Sequence, residues 1–265
     1  MPKILFIGDV VAEPGRRTLT TLLPQLREEH EPDFVVVNGE NAAGGMGITP
    51  KTADEIFALG VDVITLGNHT YRHREVYSYL DSGKPIVRCA NQHASNPGKG
   101  SVVVEARGGS LRLGVINLIG QFGLDNDGNP YDAADRLVRE IDSDADLVLV
   151  DFHAELTSEK VTMGWFLDGR VTGVVGTHTH VPTADARVLP GGTAYCTDVG
   201  MTGSRAGVIG VVKEAIITKL RTGMPQRFDS ATGDEHLMGV LIESDRQGSA
   251  TSVTQLIVPL APAVE

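Results

Sequence analysis

Five short blocks of this 265-residue chain carry side chains able to do chemistry, and each follows an apolar run. Gly8-Asp9 follows Lys3–Ile7, and Asn38-Gly39-Glu40-Asn41 follows the run ending at Val37. Gly67-Asn68-His69 follows Val61–Leu66, and Asp151-Phe152-His153 follows Leu147–Val150. Gly176-Thr177-His178-Thr179-His180 follows Val171–Val175. Any one of these histidines alone would read as a hydrogen-bonded structural residue. Five coincidences reverse that reading. Asp, Glu, Asn and His together supply the oxygen and nitrogen ligands that suit hard-to-borderline divalent ions. In an extended segment, His178 and His180 would face the same side and could serve two neighbouring ions. Two close metals imply hydrolysis, because they acidify a shared water, clamp an ester's oxygens and stabilise in-line displacement at phosphorus. Glu40 is the natural bridging carboxylate. His69, adjacent to a ligand, is the candidate general acid for the leaving oxygen.

The elements that must position these blocks are legible in outline. Lys3–Ile7, Asp33–Val37, Val61–Leu66, Leu147–Asp151 and Val171–Val175 are rich in Val, Ile and Leu without clean alternation, as strands covered on both faces require. Helical patterns lie between them at Thr18–Glu29, Thr52–Leu59, Tyr131–Ile141 and Thr157–Leu167. Pro24 should kink the first of these or delay its start. Gly108-Gly109 and Gly191-Gly192 mark hairpins joining Val102–Ala106 to Leu111–Leu118 and Ala186–Leu189 to Thr193–Cys196. Gly210–Thr218, Leu237–Glu243 and Thr251–Val258 read as further strands. No linker or charge block divides the chain, so residues 1–265 read as one α/β domain with two packed mixed sheets flanked by helices. In open α/β sheets, ligands bind outside the carboxyl ends of the strands, which is where all five blocks fall.

Composition narrows the ligand. Lys and Arg number 23 against 34 Asp and Glu, a net charge of −11 that argues against a polyanion as main ligand. Stable binding of duplex nucleic acid is therefore not expected, whereas a small phosphate ester held by metal is compatible. The two cysteines, Cys89 and Cys196, are too few for a disulfide scaffold or a thiolate zinc site. The N-terminal apolar run is too short for a signal segment and no stretch reaches the length of a membrane span, so a cytoplasmic protein with no membrane partner is expected.

The blocks and their order resemble the calcineurin-like metallophosphoesterases over most of the chain, from Ile4 to about Gly200. Two departures stand out. The usual Asp-x-His opening here reads Asp9-Val10-Val11, and the usual Gly-Asp reads Gly39-Glu40-Asn41. With the Val37–Gly45 segment, these changes resemble the bacterial YmdB-like branch. The resemblance implies a four-layer sandwich of two mixed β-sheets flanked by helices, and phosphodiesterase action on small substrates such as 2′,3′-cyclic nucleotides. Carried residue by residue, it implies Asp9, Glu40, Asn41 and His180 on a first metal, with Asn41 replacing the lost histidine. Glu40, Asn68, His153 and His178 would hold a second. His69 would protonate the leaving oxygen as a metal-bridging hydroxide attacks phosphorus. It implies two divalent or mixed-valence ions, iron or manganese, while the residues themselves also admit zinc.

Two alternatives stay open on the residues: a regulatory nucleotide- or partner-binding protein of low turnover, and a phosphomonoesterase. A homo-oligomer is compatible with either. Arg16-Arg17 and Arg72 with Arg74 are candidates for phosphate contact, with solvated helix-end charge as the competing reading. Gly44–Pro50 reads as a flexible loop beside the site and Cys196 as a packed strand-end thiol. His30, His93 and His236 have no constellation and read as surface residues.

Overall fold

The computed structural model describes residues 1–109, 111–125 and 127–261. In chain order its elements are β1 (Lys3–Ile7), β2 (Asp9–Val10), α1 (Ala12–His30), β3 (Phe34–Asn38), α2 (Pro50–Ala58), β4 (Val63–Thr65), α3 (Val76–Leu80) and β5 (Ile86–Val87). They continue with β6 (Ser101–Glu105), β7 (Arg112–Ile119), α4 (Pro130–Ile141), β8 (Leu147–His153), α5 (Thr157–Leu167) and β9 (Gly173–Thr177). The remainder is β10 (Arg187–Val188), β11 (Ala194–Cys196), β12 (Met201–Ser204), α6 (Lys213–Thr222), β13 (Glu235–Ser244) and β14 (Ala250–Pro259). Among the described residues, one sheet runs β2-β12-β13-β1-β3-β4-β5 with β14 paired to β13, and the other runs β10-β11-β9-β8-β7-β6. Both are mixed: β1, β3, β4 and β5 are parallel, as are β7, β8, β9 and β11, with antiparallel strands beside them.

Side-chain alternation explains the layers. Ile4, Phe6, Phe34, Val36 and Val63 meet Leu113, Val115, Leu147, Leu149 and Val175 between the sheets. The opposite parity of the first sheet, Leu5, Ile7, Val35, Val37 and Ile64, packs on α1, α2 and α3 through Leu19, Leu23, Ile56 and Val76. The second sheet sends Val148, Val150, Phe152 and Val174 outward, where Leu137, Val138, Met163 and Leu167 of α4 and α5 cover them. Helices and sheets thus form a four-layer sandwich, because every central strand must bury both faces.

The same parity, continued to the carboxyl ends, becomes polar. Asn38 continues Phe34 and Val36, Thr65 continues Val63, Asp151 and His153 continue Leu147 and Leu149, and Thr177 continues Val175. All five are fully buried.

Local signals account for most boundaries. Thr49 caps α2, its hydroxyl accepting from the Thr52 amide and the Thr52 hydroxyl accepting from the Thr49 amide, with Pro50 in the first turn. Asn129 caps α4 by a single bond, its side-chain oxygen accepting from the Tyr131 amide. Three expectations are corrected. The first helix begins at Ala12 rather than Thr18, and Pro24 lies within it on the exposed side, where the carbonyl it leaves unbonded can face water. Gly210–Thr218, read as a strand from its Val and Ile content, contributes instead to α6. There the caps outweigh propensity: Glu214 lies in the first turn, Lys219 and Arg221 in the last, and Gly223 closes the helix at φ 70°. His236, read as a surface residue, is buried on β13, with Nδ1 3.1 Å from the Asp234 carbonyl.

Candidate metal centre

Short, sharply bent connections bring the five blocks to one place between the sheet ends. Asp9 arrives on β2, which pairs with β12 one residue beyond Gly8. A side chain at Gly8 would collide with the Gly200 carbonyl, its Cβ 2.0 Å away, so only glycine lets the two backbones cross there. His178 and His180 leave β9 in left-handed conformations, with φ of 93° and 64°. The segment is therefore not extended, which corrects the expectation of a simple two-residue repeat. A bend rather than a strand separates the two rings.

The eight predicted residues come together through a continuous series of contacts. Asp9 Oδ1 lies 3.8 Å from His180 Nε2, and His180 Nε2 lies 3.2 Å from Asn41 Nδ2. Asn41 Nδ2 donates to Glu40 Oε1 at 3.0 Å, and Glu40 Oε1 lies 3.3 Å from His153 Nε2. His153 Nε2 is 2.9 Å from Asn68 Oδ1. His178 completes the cluster: one ligand atom each from Glu40, His153 and His178 falls within 4.8 Å of the others. Its Nε2 is also 3.0 Å from the partly exposed Glu155 carboxylate, a rim residue the sequence did not single out. His69 sits beside this row. Its amide donates to Glu40 Oε2 at 3.1 Å, and its Nδ1 is 2.8 Å from Asn41 Oδ1 and 3.4 Å from Glu40 Oε1.

A buried polar network supports His153. The Thr177 hydroxyl donates its proton to Asp151 Oδ1 at 2.7 Å. It can then only accept from His153 Nδ1, 2.9 Å away, which fixes a proton on that nitrogen. Asp151 Oδ2 accepts from Thr65 Oγ1 at 2.6 Å and Asn38 Nδ2 at 3.0 Å. Of these four supporting residues, Asn38, Asp151 and Thr177 lay in the blocks that stood out in the sequence, though without an assigned role, and Thr65 lay outside them. The signal for Thr65 was its place two residues beyond the inward-facing Val63, on the same strand parity.

The electrostatics follow from burial and proximity. Burial pushes the Asp9 carboxyl up despite the attraction of His180 and His153. Burial also disfavours the Glu40 charge, but His153 and His69 outweigh it and hold that carboxyl well below its ordinary range. Burial opposes charge on His153 too, yet Glu40 raises it to about 9. His178, desolvated and facing His153, falls to about 3 and stays neutral. Burial lifts Asp151 to about 6 against its three hydrogen-bond donors and His153.

Two observations fit this pocket to a cation. Asp9 Oδ1 is fully buried without a hydrogen-bond partner among the described residues, an arrangement that costs free energy unless a positive group meets it. A Cβ at Gly67 would stand 2.2 Å from Glu40 Oε2 and 2.4 Å from His153 Nε2, so the glycine keeps open the space these ligand atoms face. Gly67→Ala is expected to drive the two groups apart and lower the divalent-metal content of the purified protein, measured by elemental analysis. Parental metal content would show that the pair can shift aside without cost.

The other candidates do not join. Arg16 is bonded to the Ala42 carbonyl and Arg17 to Glu13 and Glu235, so both are committed to structure. Arg72 and Arg74 are exposed. Cys196 is buried and its thiol is pushed up to about 12, as a packed strand-end residue should be. Among the described residues no helix is long and apolar enough to cross a membrane.

Two mixed sheets with acids, amides and histidines gathered at their strand ends define the calcineurin-like metallophosphoesterase fold. The chain belongs to the YmdB-like protein family, whose model matches residues 5–256. It is 46% identical, over 92% of both chains, to the 2′,3′-cyclic-nucleotide 2′-phosphodiesterase of Bacillus subtilis strain 168. Among solved structures, a protein of Thermus thermophilus superposes with a TM-score of 0.90 at 41% identity, covering 97% of this chain and 99% of the other. A phosphatase from Mycoplasma pneumoniae superposes equally well, at 0.90 and 34% identity, covering 97% and 93%.

Proposed function

We propose that residues 1–265 form one domain acting as a metal-dependent phosphodiesterase on small phosphodiesters, with 2′,3′-cyclic nucleotides as the substrate class. The observation that carries this reading is the row of contacts that brings Asp9, Glu40, Asn41, Asn68, His153, His178 and His180 together, with one Asp9 oxygen buried and without a hydrogen-bond partner among the described residues and His69 alongside. The Bacillus subtilis relative's name supplies the substrate class.

In this reading Asp9, Glu40, Asn41 and His180 would hold one ion and Glu40, Asn68, His153 and His178 the other, with Glu40 contributing to both. Divalent or mixed-valence cations of iron or manganese, with zinc also compatible with these ligands, would activate water and neutralise charge on the phosphoryl oxygens. The protein groups are prepared for cations. His178 is neutral, and the proton on His153 Nε2 is the counter-charge that Glu40 demands, to be released as an ion takes its place. Asn41 directs its NH₂ to Glu40 and His180 and its oxygen to His69 Nδ1, and it would offer the amide oxygen to an ion if the amide were turned over. His69 is fixed through Nδ1 and its own amide, so Nε2 is the atom that holds and delivers the proton to the leaving ribose oxygen.

Elemental analysis of the purified protein alongside a panel of cyclic nucleotides tests the proposal. Two metal equivalents and chelator-sensitive turnover of 2′,3′-cyclic nucleotides are expected. Metal-free protein that binds nucleotide without hydrolysing it would favour the regulatory reading instead. Turnover confined to monoesters would favour a phosphomonoesterase.

A further inference from the structure

Behind the two histidines that follow β9 lies a buried ion pair that the chemistry above does not use. Lys160 of α5 and Asp198 are 1% and 0% exposed, and Lys160 Nζ donates to Asp198 Oδ2 at 2.7 Å. The same carboxylate oxygen accepts from the Thr179 amide at 3.1 Å and from the Thr179 hydroxyl at 2.5 Å. Thr179 is the residue between His178 and His180, both of which hold left-handed backbone that L side chains rarely adopt. The other oxygen of Asp198 accepts from the Gly200 amide at 2.8 Å. Gly200 packs its carbonyl where a side chain on Gly8 would be, immediately before Asp9. One buried carboxylate thus ties down the bend carrying His178 and His180 and braces the strand carrying Asp9.

The route of Lys160 to this carboxylate is built into the chain. It passes β9 at Gly176, where a Cβ would lie 2.9 Å from its Cδ and 1.8 Å from the Thr197 carbonyl. A buried ion pair contributes little stability over apolar residues of similar volume, so its worth lies in the hydrogen bonds it directs. Here those bonds hold a strained backbone whose two flanking side chains are both ligand candidates.

We propose that Lys160, Asp198 and Thr179 are positioning residues that set the affinity of the centre for its metal ions. Lys160 pairs with Asp198, Asp198 holds Thr179 by amide and hydroxyl together, and the pinned bend points His178 and His180 to opposite ends of the ligand row. This inference rests on the metal-centre reading given under Proposed function.

The test is a calorimetric titration of Mn²⁺ into the chelator-stripped full-length protein, for the parent, Thr179→Val, Thr179→Ser and Lys160→Met, with the unfolding midpoint measured in chelator. Thr179→Val keeps the volume and the amide bond but loses the hydroxyl. It is expected to weaken Mn²⁺ binding about 10–100-fold, as loss of a group that orients metal ligands typically does. Thr179→Ser is expected to restore parental affinity. Lys160→Met should weaken binding at least as much as Thr179→Val at temperatures where circular dichroism shows it folded. Parental Mn²⁺ affinity in Thr179→Val, with or without a lower midpoint, would overturn the positioning role, and so would failure of Thr179→Ser to rescue. A parent that binds no Mn²⁺ would instead remove the metal reading itself, an outcome distinct from a parent that binds and a variant that binds equally well.

Discussion

Glu40→Gln is expected to lower turnover by about 10³-fold or more and to strip one or both metals, while leaving the fold intact. The loss corresponds to about 4 kcal/mol at 1.36 kcal/mol per tenfold, the scale on which a Lewis-acid centre contributes. Glu40 is buried at the middle of the row, with Oε1 within 3.4 Å of both His153 and His69 and 3.0 Å of Asn41 Nδ2. The substitution is nearly isosteric, so packing survives. It removes the charge that keeps His153 protonated and that two cations would share. Elemental analysis, circular dichroism and turnover on the same preparation separate these effects. Full activity in Glu40→Gln would sink the bridging role outright.

His69→Ala should behave in the opposite way with respect to metal. Metal content is expected to stay at the parental level while turnover falls by about 10²–10⁴-fold, the usual contribution of a placed general acid. The fall should be smallest for esters whose leaving group departs without a proton, such as a nitrophenolate, and largest for a ribose oxygen. The geometry motivates this split. His69 Nδ1 and its amide are committed to Asn41 and Glu40, so its ring is held beside the row rather than in it. Loss of metal in step with the rate would make His69 a ligand instead.

The acidic balance of the chain is consistent with phosphate chemistry once the site is seen. The net charge of −11 is a global quantity, whereas Asp9 and Glu40 concentrate negative charge where cations can reverse its sign locally. A polyanion-binding surface is what the balance argues against, and a small ester over a metal floor is not.

Much of this was present in the sequence alone. The apolar runs specified the central strands to within about two residues, because a strand covered on both faces must be uniformly apolar. Those runs also located the chemistry, because polar residues placed directly after them can only emerge at the carboxyl edge of a sheet. Where local caps compete with residue propensity the reading failed, as at α6, since Val and Ile content there spoke for a strand and Glu214, Lys219 and Gly223 for a helix.

Tertiary structure decided what lies at a distance along the chain. The pairing of β2 with β12, which delivers Asp9, joins segments far apart in the chain and depends on a backbone crossing that only Gly8 permits. At the left-handed bend of His178 and His180, Thr179 is hydrogen-bonded to the carboxylate of Asp198, further along the chain, which pairs in turn with Lys160 of α5. Spacing of residue types carries no record of such partners. The identities of the site residues are local facts, but their angles to one another are set by the packing of two sheets and by the buried charges between and behind them.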